Sequence, residues 1–336
     1  MAALKHAGIA NFAPDLSSQE ILDAVGRKSG FLRWLHPAEM EQGDSAAVDL
    51  ITTTNSSTTT FDEDDALAPA APTISQGSFD MEEFVTVFGI SGSAIRRSGV
   101  RSDRVLQANK EDALRSLISY MENWAVATKQ TYAVVGQVDD DTTNWGGLDR
   151  SSVTALKSKV VAGGSATITA DMLYQATEGV QDVPFMGEPS LILSSPTQLR
   201  LYKSNVAQAP APIAGGGVAN AGYASGLAGF GELPWVPVRG LLNSVVLVLD
   251  GVRGDGQKPK HFWYNWQPSS DYLGRYGATT ELLSLNVQPD GSSIGNVHLV
   301  SLGLTKDEAD QYAITGGAYV CAAPQSQALI EALAIS

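Results

Sequence analysis

Three consecutive carboxylates, Asp139-Asp140-Asp141, run into Thr142, Thr143 and Asn144, and closely spaced oxygen ligands are what a hard divalent cation requires. A calcium loop of this kind also needs glycine at its sixth position and a bidentate glutamate at its twelfth. Asn144 and Arg150 stand there instead, so the segment reads as a solvated turn. Gly226, Gly229 and Gly231 fail for a different reason: a dinucleotide or phosphate loop follows a strand and opens a helix, and these glycines do neither. The four histidines, His6, His36, His261 and His298, are scattered singly, with no Cys or acid at ligand spacing. Cys321 sits among apolar and small residues in Ala318-Tyr319-Val320-Cys321-Ala322-Ala323 and reads as a buried small hydrophobe, not a reactive thiol. There is no G-x-S-x-G elbow, and Asn55-Ser56-Ser57 is a glycosylation acceptor that matters only in a secreted chain. No catalytic residue, metal ligand or cofactor-binding residue is expected, and the chain is not read as an enzyme.

Two charge clusters remain. Asp62, Glu63, Asp64 and Asp65 concentrate negative charge in a stretch rich in Thr and Ser, and Arg96, Arg97, Arg101 and Arg104 concentrate positive charge just before a long helical pattern. A loop tip does not easily fold back over its own stem, so one reading pairs the acids of one subunit with the arginines of another. The other reading is two solvated faces, whose exposed ion pairs contribute only about 0–1 kcal/mol each.

The elements that must position these clusters are legible in outline. Residues 1–28 read as an arm with a short helix, capped by Ser17-Ser18-Gln19-Glu20 and lined by Ile21, Leu22 and Val25. Phe31, Leu32, Trp34 and Leu35 form an apolar knot before Pro37. A strand is expected over residues 46–54, with Val48, Leu50 and Thr52 alternating against Asp49, Ile51 and Thr53, and a second over residues 74–90, where Phe79, Met81, Phe84, Val85, Val87 and Phe88 are spaced for strand. A long two-stranded loop of this kind is marginal alone in water, and a long segment without packing of its own is held by something outside its domain.

A helix follows over residues 103–128, with Leu106, Ala113, Leu114, Leu117, Ile118, Met121, Trp124 and Ala125 at three- and four-residue intervals. Beyond Arg150 the elements alternate: a helix at 169–180, a strand at 190–194, a helix at 196–204 opened by Pro196, strands at 235–238, 244–250, 260–264, 281–287 and 296–304, then a strand at 318–323 with a closing helix at 325–334. Residues 206–233 are dominated by Ala, Gly and Pro and read as a mobile loop.

The chain has 336 residues, 43% hydrophobic and 17% charged, with a net charge of −14. That is enough to bury a sizeable core in one large domain or two smaller ones. The acidity argues against broad binding to a nucleic acid backbone, though not against enclosing one. Residues 1–22 lack the charged start, apolar core and cleavage site of a secretory signal, and no window reaches the eighteen apolar residues of a membrane span. The lone cysteine cannot form an intrachain disulfide. A soluble protein of a reducing cytoplasm, with no membrane partner, is the expectation.

The order of these pieces resembles the major capsid proteins of tailed bacteriophages, with the Hong Kong 97-like fold. Ala66-Leu67-Ala68-Pro69, the run Ala113-Leu114-Arg115-Ser116-Leu117 in the long helix, Trp145-Gly146-Gly147-Leu148 after it, and the stretch PSLILSSPTQLRLY at residues 189–202 carry the resemblance together with their spacing. It implies an α+β fold divided into an N-terminal arm (1–36), an extended E-loop (37–90), a peripheral domain with the spine helix (91–150) and a mixed α/β axial domain (151–265). Strands returning to the peripheral domain (266–317) and a C-terminal strand and helix of the axial domain (318–336) complete it.

The implied function is a structural head protein that self-assembles into pentamers and hexamers of an icosahedral shell around double-stranded DNA, without sequence-specific binding. The virion capsid is its place and the host cytoplasm its site of assembly. Intersubunit contacts are expected at Phe61, Asp62, Glu63, Asp64, Asp65 and Phe79 of the E-loop and at Arg96, Arg97, Arg101 and Arg104 at the start of the helix. Gly215, Gly216, Gly217 and Gly229 are expected in an axial loop near the capsomer axis or on its surface. Some relatives crosslink through an E-loop lysine, but no lysine occurs between Lys28 and Lys110, so non-covalent contacts or a cement or decoration protein are implied. The short arm implies a separate scaffolding protein, alongside a portal.

Two other functions compete. An encapsulin-like compartment shell shares the fold and differs in content, protein in place of DNA. An α/β ligand-binding or enzymatic domain over residues 169–249 lacks the constellation of carboxylates, histidines or phosphate glycines that chemistry requires.

Overall fold

The computed structural model describes residues 18–26, 30–39, 45–53, 71–91, 102–126, 158–182, 187–208, 229–230, 233–251, 262–266, 279–287, 293–305 and 308–335. The chain divides into two compact units: the first takes residues 1–44, 81–122 and 264–318, the second residues 45–80, 123–263 and 319–336.

In the first unit, helix α1 (Ser18–Gly26) is followed by a single turn at Leu32–Trp34, where Phe31, Leu32 and Leu35 are fully buried. One six-stranded sheet contains β1 (His36–Glu39), β4 (Glu82–Ser91), β10 (Phe262–Trp266), β11 (Thr279–Ser284), β12 (Asn296–Thr305) and β13 (Glu308–Cys321). Its order is β1-β10-β13-β12-β11, with β4 also pairing β13. Helix α2 (Ser102–Val126) runs 25 residues, about 38 Å at 1.5 Å per residue. Ala113, Leu114, Leu117, Ile118, Met121 and Ala125 form its buried stripe, while Arg115 and Glu111 pair at 2.7 Å one turn apart on the exposed side.

Polar contacts tie α2 to its surroundings. Asn109 Nδ2 donates to the Gly89 carbonyl of β4 at 2.9 Å, Lys110 pairs with Glu281 of β11 at 3.3 Å, and the Glu122 carboxylate accepts from the Phe31 N–H. Phe84 meets Tyr120 edge to face at 6.0 Å between ring centroids.

The second unit holds a two-stranded ribbon, β2 (Ser45–Thr53) with β3 (Thr73–Asp80), and a six-stranded sheet. The sheet order is β5-β14-β9-β6-β8-β7, from β5 (Lys159–Ala162), β6 (Pro189–Ser194), β7 (Gly229–Phe230), β8 (Leu233–Pro237), β9 (Val246–Asp250) and β14 (Ala328–Glu331). Helix α3 (Ala170–Gln181) starts at Thr169, whose hydroxyl accepts from the Met172 N–H at 3.3 Å. Its Leu173, Ala176 and Val180 pack on Ile192, Val246, Val248, Ala328 and Ile330. Leu199 and Tyr202 of α4 (Pro196–Gln208) close the same core. Every residue of β9 is buried, as befits a central strand covered on both faces. Asp250 ends it inside the protein, accepting from the Glu188 N–H at 3.0 Å, while its own N–H donates to Gln327 Oε1 at 2.8 Å.

Three expectations are corrected. The closing helix at 325–334 is not formed: Pro324–Ser326 makes a single 3₁₀ turn and Ala328–Glu331 is strand β14. It lies parallel to β5 on one edge and antiparallel to β9 on the other, and Ala332, at φ 54°, ends it. Pairing on both edges outweighs the local helical spacing, which a short buried apolar run shares with a strand. The single strand expected over residues 74–90 is divided at Met81, β3 pairing β2 in one unit and β4 pairing β13 in the other. Strand β13 also begins ten residues earlier than expected, at Glu308, through a polar stretch held by neighbours on both sides.

Candidate functional site

Among the described residues, no group of three or more His, Cys, Asp or Glu side chains could hold a metal ion, and no helix is long and apolar enough to cross a membrane. Among the described residues, the exposed aliphatic side chains Ile51, Ile74, Val85, Val87 and Leu282 lie on strands.

On the ribbon, alternation separates two faces. Leu50 and Phe79 are fully buried and Ala46 nearly so, whereas Ile51 and Ile74 are 46% and 58% exposed. Ile51 and Ile74 are cross-strand partners, so they form one apolar pair on the outer face. Gln325 Nε2 reaches the Ile51 carbonyl at 3.5 Å within the same unit.

A second apolar surface crosses the sheet of the first unit. Phe84 and Phe88 of β4 are buried, so Val85 and Val87 point from the opposite face, where both are exposed. Val85 stands opposite Ile314, Ile314 opposite His298, and His298 opposite Leu282, a row that spans four strands. A second row runs from Val87 through Tyr312 to Val300. The middle of the surface is buried and its rims, Val85, Val87 and Leu282, are exposed.

His298, buried in that row, has its pKa lowered by desolvation. Its neutral form therefore contributes stability that is fully present above the unfolded value near 6.5, declines as pH falls below it, and levels off once pH passes the lower folded value. Urea midpoints of the wild-type chain should fall between pH 7 and pH 5, and His298→Gln should remove this component. An equal fall in both proteins would contradict it.

The second unit carries an aromatic cluster. Phe230 meets Tyr174 edge to face at 4.7 Å and Tyr202 at 6.4 Å, and Tyr202 lies 4.7 Å from Trp235. Burial, and secondarily Tyr174, push the Tyr202 hydroxyl up from its usual pKa. The indole N–H of Trp235 donates to Ser194 Oγ at 2.7 Å.

Of the residues expected at contacts, Phe61, Asp62, Glu63, Asp64, Asp65, Arg96, Arg97, Arg101, Gly215, Gly216 and Gly217 lie outside the described residues, as does the Arg104 side chain within the first turn of α2. Phe79 is fully buried within its own chain. Gly229 lies in β7, paired with Pro234, and not in an open loop. The pair Ile51 and Ile74 was missed because alternation marks two faces without saying which is covered.

Neither a protein-family model nor a curated protein sequence matches the chain. Solved structures do. The capsid asymmetric unit of cyanophage A-1(L) is similar at 12% identity and a TM-score of 0.64, over 96% of this chain and 95% of that one. The holo-SrpI encapsulin complex of Synechococcus elongatus is similar at 13% identity and 0.56, over 100% and 98%. The capsid of an empty GTA particle is similar at 12% identity and 0.55, over 99% of each chain. This chain therefore has the mixed helix-and-sheet fold of phage capsid subunits, the Hong Kong 97-like fold.

Proposed function

We propose that the chain is a shell-forming major capsid protein of a tailed phage, building pentamers and hexamers of an icosahedral head around double-stranded DNA. The observation that carries this reading is the length of the likeness: capsid subunits are matched over nearly the whole of both chains, which leaves little of this one for another task. The role is structural, with no catalysis. In this reading residues 1–36 are the N-terminal arm, 37–90 the E-loop, 91–150 and 266–317 the peripheral domain, and 151–265 with 318–336 the axial domain.

The E-loop lies over a neighbouring subunit. Its ribbon offers the neighbour Ile51 and Ile74, in place of the buried Phe79, and its acids Asp62–Asp65 meet the neighbour's cluster at Arg96, Arg97, Arg101 and Arg104. The axial loop with Gly215, Gly216 and Gly217 lies near the capsomer axis. The acidity of the chain, at −14, supports DNA held without tight binding. A separate scaffolding protein, a portal and a cement or decoration protein are its partners, and assembly takes place in the host cytoplasm.

The encapsulin likeness, complete over this chain, favours a second reading as a protein compartment. Particle content separates the two. Native particles holding nuclease-protected double-stranded DNA support the capsid reading, and particles filled with one cargo protein overturn it in favour of the compartment.

A further inference from the structure

The outermost strand of a sheet presents its outward N–H and C=O groups to any strand that approaches, and proteins block such edges. Strand β11 is the last strand on its side of the first sheet. Its edge is occupied by a side chain. Gln19 Oε1 accepts from the Ser284 N–H at 2.8 Å, and Gln19 Nε2 donates to the Ser284 carbonyl at 2.7 Å. One primary amide thus makes the two hydrogen bonds that a residue of an added strand would make.

The rest of α1 holds that amide in place. Asp23, one turn on, accepts from Gln19 Nε2 at 2.6 Å and from Asn286 Nδ2 at 3.2 Å. Ile21 and Leu22 are buried, and Gly26 lies so close to Val287 that a Cβ there would stand 2.8 Å from its Cγ1. A helix of nine residues does not hold itself in water, so α1 stays helical through these contacts. Two residues before Ser284, Leu282 is 53% exposed, so the guarded edge carries an exposed apolar side chain.

We propose that α1 is an edge guard, and that what it excludes is β11 of a second copy of this chain. Two β11 edges meeting antiparallel are self-complementary about a two-fold axis, so every copy carries both halves of the unwanted contact. With Gln19 seated, the pairing groups of Ser284 are taken. With Gln19 removed, the two sheets join edge to edge.

A thiol trap tests this in the full-length chain. Cys321, the only native cysteine, is buried, so Leu282→Cys adds one exposed thiol at the edge. Under a mild thiol oxidant, Leu282→Cys alone should stay mostly unlinked, and Leu282→Cys with Gln19→Ala should give a disulfide joining the two introduced thiols in roughly tenfold greater yield, as loss of the amide's hydrogen bonds implies. Gln19→Glu keeps the acceptor for the Ser284 N–H and loses the donor, so it should fall between. Hydrogen exchange over residues 279–287 should quicken in the same order. Equal linking with and without Gln19, or linking in neither, would overturn the proposal. Neither result depends on whether the chain forms shells.

Discussion

Ile51→Lys combined with Ile74→Asp should abolish closed shells while leaving the subunit folded. The two positions face each other across the ribbon and are exposed, so opposite charges there keep a favourable cross-strand pair and remove nothing from the core. In the proposed shell the same pair would lie under a neighbour. Burying an ion pair costs more in desolvation than its mutual attraction returns unless further hydrogen bonds complete it, and the cost recurs at every subunit. Circular dichroism and the urea midpoint should match wild type to within about 0.5 kcal/mol, as for surface substitutions generally. Sedimentation should show only small species. Wild-type shells from this variant would remove Ile51 and Ile74 from the contact.

Trp235→Ala should cost the second unit about 3–5 kcal/mol, the range for truncating a large buried aromatic. Trp235 is 3% exposed, pairs in register with Ile192, stacks near Tyr202 and donates its indole N–H to Ser194. Ala leaves a cavity beside Tyr202 and removes the Ser194 hydroxyl's donor. Trp235→Phe keeps most of the packing and loses the hydrogen bond, a cost nearer 1 kcal/mol. Because the chain has two compact units, hydrogen exchange resolved by segment is the suitable measurement. Protection should fall in β6, β8 and β9 and hold in β12 and β13. Unchanged protection in β9 would show that the aromatic cluster does not support that sheet.

Long periodic elements were legible in the sequence. The helix expected at 103–128 is α2 at Ser102–Val126, and the helix expected at 169–180 is α3 at Ala170–Gln181. The strands at β6 and β9 were legible because each is a short, continuous apolar run. What failed was decided by distant neighbours. Ala328–Glu331 is a strand because β5 and β9 flank it, and β3 ends at Asp80 because its continuation past Met81 pairs with β13, more than 200 residues away. The candidate contact was half legible. Val48, Leu50 and Thr52 separate from Asp49, Ile51 and Thr53 by simple alternation, but assigning Phe79 to the covered face requires knowing that a cover exists. Gln19 on Ser284 spans 265 positions and leaves no periodic trace.

The central claim is that copies of this chain close into a shell, and electron microscopy of the purified full-length protein tests it most directly. The account predicts closed icosahedral particles built of pentamers and hexamers. A stable monomer under all assembly conditions would contradict it.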